Sequence, residues 1–66
     1  MAIGLKGILS FSEEPQAILI VNNKQVMVKT GGLVADHFTV IRIDHESIVL
    51  KDTSGLEKVL MVGEFL

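Results

Sequence analysis

Phe38-Thr39-Val40-Ile41-Arg42-Ile43, then Asp44-His45-Glu46, then Ser47-Ile48-Val49-Leu50-Lys51: this stretch decides the fold. Its first and last parts are apolar runs of strand length, rich in β-branched residues that suit a pleated, half-buried surface. Three consecutive polar residues separate them. Two such runs with a short polar link predict a β-hairpin. Its strands are expected at the centre of the core.

Upstream lies a second hairpin. Ala17-Ile18-Leu19-Ile20-Val21 is apolar on both faces. Such a run is either covered on both sides or carries an exposed, sticky face. Asn22-Asn23-Lys24 reads as a turn, because Asn tolerates positive φ. Gln25 to Lys29 is the return strand, with Val26 and Val28 on one face and Gln25, Met27 and Lys29 on the other.

Before it, Ile3, Leu5, Leu9 and Phe11 recur at period two, with Gly7 in the missing place and Lys6 and Ser10 on the opposite face. This predicts a half-buried strand over 3–11. Gly7 inside it reads equally as a bulge or close backbone approach and as a tolerated small residue. Ser12-Glu13-Glu14-Pro15 is a loop, since Pro15 removes a donor and fixes φ. Thr30-Gly31-Gly32 reverses the chain. A phosphate cradle would need more glycines and a following helix, which Leu33-Val34-Ala35-Asp36 does not supply. Asp52-Thr53-Ser54-Gly55 is another turn, Leu56 to Val62 the last strand, and Gly63 to Leu66 a tail or linker stub. The expected fold is all-β: a small β-sandwich or partly open barrel of five to seven short antiparallel strands.

Sixty-six residues predict a single β domain over 1–66, with its core about 3–62. So short a chain buries only about 60% of its unfolded surface. Cysteine is absent, so neither a disulfide nor a thiolate zinc site can staple it. Three Phe are the only aromatics, and Val, Ile, Leu and Met must build the core. The net charge is −2, with no cluster of Lys or Arg. Nucleic-acid binders combine a basic patch with stacking aromatics, so no nucleic-acid partner is expected. No signal peptide is visible, and the apolar run 17–21 is far too short to cross a bilayer. The chain is either cytosolic or a soluble fragment of a longer, membrane-anchored chain.

No reactive constellation stands out. His37 and His45 each follow an aspartate, but with Glu46 they match no metal-ligand spacing, and they read as solvated turn residues. Glu13 and Glu14 are neighbours and diverge on a strand, whereas paired-carboxylate catalysis needs convergence. No serine lies in a nucleophile elbow. The expectation is no catalytic residue, no metal and no cofactor. Met27 and Met61 offer two readings, an adaptable apolar binding surface or gap-fillers in the core, and their place in strands favours the second.

The order of motifs carries a resemblance. Lys6-Gly7-Ile8 opens and Ala17-Ile18-Leu19-Ile20 follows. Val28, Gly31 or Gly32 and Val34 come next, then Val40 to Leu50, and Glu57-Lys58-Val59-Leu60-Met61-Val62 closes. This pattern resembles the homology-region domain of the GspC family, inner-membrane proteins of type II secretion systems. It is also similar to the pilus-assembly protein PilP. The pattern spans about Lys6 to Val62. The chain departs from it at Gly31-Gly32, where the family carries one glycine, and it lacks the PilP-type extension, which favours the secretion family.

The resemblance implies a periplasmic domain of an inner-membrane protein, built as two short antiparallel sheets beyond a single transmembrane helix. It implies a non-enzymatic adaptor that links inner-membrane platform proteins to the N-terminal domain of the outer-membrane secretin. Ile8, Ile18, Ile20 and Val21 are the expected partner-binding residues, acting through a sheet edge and its side chains. The contact is small, so weak affinity is expected. Two alternatives from other classes stay open. One is a cytosolic SH3- or oligonucleotide-binding-like barrel that takes RNA or a small ligand. The other is a self-associating structural module.

Overall fold

The computed structural model describes residues 2–10 and 13–66, and contains seven strands. These are β1 (Ile3–Leu9), β2 (Gln16–Val21), β3 (Lys24–Lys29), β4 (Leu33–Val34), β5 (Phe38–Ile43), β6 (Ser47–Asp52) and β7 (Glu57–Met61). Phe11, expected on the face of β1, and Ser12, expected in the following loop, lie outside the described residues. Every strand pair is antiparallel. A three-stranded sheet runs β1-β2-β3 and a four-stranded sheet β4-β5-β6-β7. The fold is a small β-sandwich. No helix among the described residues is long and apolar enough to cross a membrane.

The central hairpin is β5–β6, as its sequence predicts. Ile48, Val49 and Leu50 are all buried, and Val40 is fully covered. The core between the sheets joins Ile3, Leu5, Ala17, Leu19 and Val28 to Val34, Val40, Ile43, Ile48, Leu50 and Leu60. Each Val, Leu or Ile side chain among them contributes about 1.5–3 kcal/mol when taken fully out of water. Among the described residues no polar or charged side chain is buried.

Each sheet carries one bulge, and the bulges reset the alternation of faces. In β1 the register steps from Leu5↔Leu19 to Gly7↔Ile18, so Lys6 and Gly7 together oppose Ile18. In β5 it steps from Val40↔Leu50 to Arg42↔Val49, so Ile41 is the extra residue. An added residue shifts every later side chain to the other face. Leu5 and Ile8, three apart, therefore both face the core, as do Val40 and Ile43. The simple period-two reading put Leu9 on the core face. The bulge gives that place to Ile8.

The chain passes between sheets at two points. Gly31 N–H donates to the Val40 carbonyl (2.8 Å) and Val40 N–H to the Gly32 carbonyl (2.9 Å), which leads β3 into β4. Gly31 holds φ at 89°, a region open to glycine. At the other side, Gly63 (φ 92°) turns the chain out of β7. The residues after it run along the outer edge of β1, where Phe65 bridges Gly4 in antiparallel sense.

Candidate docking surface

Sheet register sets the surface. β2 is the middle strand of its sheet, so its backbone is paired on both sides. Directly opposed residues share a face. Ala17, Leu19 and Val21 face the core, while Ile18 and Ile20 face outward and stay half-exposed. Met27 pairs with Ile18 and is 55% exposed, and Gln25 pairs with Ile20. The outer face of the three-stranded sheet is thus a patch centred on Ile18, Ile20 and Met27. Lys6 Nζ donates to Gln25 Oε1 (2.7 Å), a bridge from β1 to β3 across this patch. Over Gly7 there is open space.

The four residues expected to bind a partner divide between two faces. Ile18 and Ile20 lie together on the outer one. Ile8 and Val21 pack from the inner face against the core. For Ile8 the cause is the bulge at Lys6-Gly7, and for Val21 it is the odd-numbered parity it shares with Ala17 and Leu19. Met27, outside the four, joins Ile18 and Ile20, and the favoured gap-filling reading is corrected at both methionines: Met27 and Met61 face solvent, Met61 at 41% exposure. The signal for Met27 was its parity with Gln25 and Lys29, both polar.

β3 is an edge. Asn22 (φ 50°) and Asn23 (φ 68°) form the two-residue turn, with both residues in the left-handed region that a type I′ hairpin turn requires. Val21 and Lys24 flank it and exchange both main-chain bonds. Alternation then turns the N–H and C=O of Gln25 and Met27 away from β2. Among the described residues no backbone group pairs with them. Lys24 and Lys29 close the two ends of this edge, and Lys29 pairs with Glu14 (3.1 Å) in solvent.

His37 and His45 are exposed. Among the described residues no three of His, Asp and Glu come together as a metal site. Asp52, in the β6–β7 turn of the other sheet, has its carboxyl held below the usual carboxylate range. The Ser54 hydroxyl is the largest cause; desolvation opposes it, and the Leu56 and Ser54 amides and Lys58 add to the lowering.

The architecture is found in a solved complex. A chain in the crystal structure of the enterotoxigenic Escherichia coli GspC-GspD complex from the type II secretion system superposes with a TM-score of 0.81. The match covers 92% of each chain at 22% identity. The two chains share one fold. The β-sandwich that the resemblance implied is therefore the fold found, and it is that of a secretion-complex chain. No family model matches the sequence, and a search of curated proteins finds no match.

Proposed function

We propose that this chain is a non-enzymatic adaptor domain of a type II secretion system that docks onto the N-terminal domain of the secretin. One observation carries the reading: the unpaired β3 edge adjoins the outward patch of Ile18, Ile20 and Met27. An incoming strand would add to β3 by main-chain bonds, and its alternate side chains would reach Met27 on one face and half-exposed Val26 on the other. The shared fold with a chain of the GspC-GspD complex supports the choice of partner. In this reading the domain lies in the periplasm as part of a longer inner-membrane protein, and joins the inner-membrane platform to the secretin.

The test is a titration of the isotopically labelled 66-residue chain with a secretin N-terminal fragment, followed by NMR. The expected result is shift changes confined to Lys24–Lys29 and the Ile18–Ile20 face, with a dissociation constant in the micromolar range or weaker. Shifts confined to the β5–β7 sheet, or none, overturn the assignment.

A further inference from the structure

The segment Gly63–Leu66 shows what the opposite edge of the same sheet binds. Leu5 N–H donates to the Glu64 carbonyl (3.0 Å), Gly63 N–H to the Leu5 carbonyl (2.8 Å) and Leu66 N–H to the Ile3 carbonyl (2.7 Å). The segment is a short strand added to β1. Its side chains alternate. Phe65 lies over Gly4 on the outer face, where its Cε2 stands 2.5 Å from the position a Cβ on Gly4 would take. Leu66 turns the other way, to a hollow of about 400 Å³ bordered by Ile3, His37, Phe38 and Lys58.

The segment is weakly sealed. Phe65 is 61% exposed and Leu66 43%. Main-chain bonds to β1 hold it, together with the Glu64 carboxylate, which accepts from Met61 N–H (2.8 Å), with little apolar burial behind them. Elements held mainly by solvent-exposed backbone bonds open at the low end of the local stability range. When it leaves, β1 becomes an open edge, a ready template for another strand.

We propose that Gly63–Leu66 is a displaceable strap, and that the β1 edge beneath it is a second strand-addition site. Its occupant is an extended segment of a partner protein with an aromatic side chain over Gly4 and an aliphatic one at the Ile3–Phe38 hollow. Gly4 is the specificity element, because any side chain there would meet the ring. This extends strand addition from β3 to β1, and its test needs no secretin.

Hydrogen exchange supplies the test, with an internal control. Alternation in the β1–β2 ladder turns Leu5 N–H towards the strap and Gly4 N–H towards Ile20. In the unmodified chain, Leu5 should be protected at least about ten-fold less than Gly4, since strap opening is local. Phe65→Ala should lower Leu5 protection by a further few-fold and leave Gly4 unchanged. A synthetic pentapeptide copying Val62–Leu66, at millimolar concentration, should then shift the Ile3–Leu5 resonances of Phe65→Ala more than those of the unmodified chain. The same peptide with its Phe replaced by Ala should not. Equal protection of Leu5 and Gly4 in the unmodified chain would mean that the strap leaves only when β1 unzips, and overturns the proposal. So does an equal response to the two peptides. A chain that fails to bind the secretin fragment while Leu5 exchanges quickly refutes the β3 docking reading and leaves the strap standing.

Discussion

Ile18 on β2 stands directly opposite Met27 on β3, on the outward face of the three-stranded sheet. Neither is sealed from water, so their pairing contributes the modest amount of an exposed cross-strand contact, about 0.2–1 kcal/mol. Met27→Asp should therefore keep the domain folded, with a stability loss of about 1 kcal/mol or less, and weaken binding of a secretin N-terminal fragment at least about ten-fold, the equivalent of about 1.4 kcal/mol. Calorimetric titration and urea unfolding of the same sample separate the two effects. Ile20→Ser should behave alike. If it unfolds the domain, Ile20 belongs to the core and the docking face is misplaced.

One residue along, the outcome inverts. Leu19 is fully buried between the sheets. Leu19→Ala leaves a cavity and should cost about 2–5 kcal/mol. Typical stabilities of about 0.05–0.15 kcal/mol per residue leave a chain of this length little reserve. Circular dichroism should show Leu19→Ala largely unfolded at about 37 °C, whereas Ile18→Ala keeps a cooperative melt.

The first hairpin turn offers a gain. Asn23 holds φ at 68°, and type I′ turns favour Asn-Gly. Asn23→Gly should raise stability by about 0.5 kcal/mol. Asn23→Val, forced into the left-handed region, should lower it by about 1–2 kcal/mol. Thermal midpoints report both, at about 4–8 °C per kcal/mol for a domain of this size.

Asp52 sets a pH response. Its Oδ1 accepts bonds from the Ser54 hydroxyl (2.6 Å), the Ser54 amide (2.9 Å) and the Leu56 amide (3.0 Å). Its folded pKa is lowered, with the Ser54 hydroxyl as the largest cause. A group depressed on folding stabilises the native state above its unfolded pKa, and that contribution fades as pH falls through the folded pKa. Urea midpoints should therefore drop on acidification below the ordinary aspartate range. Asp52→Asn should flatten that drop while leaving the neutral-pH fold in place. An unchanged acid limb in Asp52→Asn would remove Asp52 as its source.

Of the four residues named from the sequence, Ile18 and Ile20 share the outward face and Ile8 and Val21 do not. The β2–β3 hairpin closes through a two-residue turn with no bulge, and its register brings Ile18, Ile20 and Met27 onto one face. The sequence alone groups Ile18 and Ile20 with Ile8 and Val21 and favours a core place for Met27. Parity within β1 failed after Leu5, because Lys6 and Gly7 share one partner. Gly7 signalled that a bulge was possible, but a lone glycine does not say which neighbour is doubled. Ile41 gave no signal at all, being one more β-branched residue in a β-branched run. Gly63–Leu66, read as a tail or linker stub, pairs with β1. Its partner lies some sixty positions earlier, and no local pattern can announce a pairing of that range.

What the amino-acid order determined alone is the all-β character, the positions of the turns and the aliphatic make-up of the core. Period-two alternation, β-branching and positive-φ residues act over a few neighbours and need no distant contact. The tertiary structure decided which strands pair, which edge is left open and which aliphatic side chains face water. Those outcomes depend on register across the sheets, and a single extra residue at Lys6 or Ile41 is enough to exchange an inward side chain for an outward one.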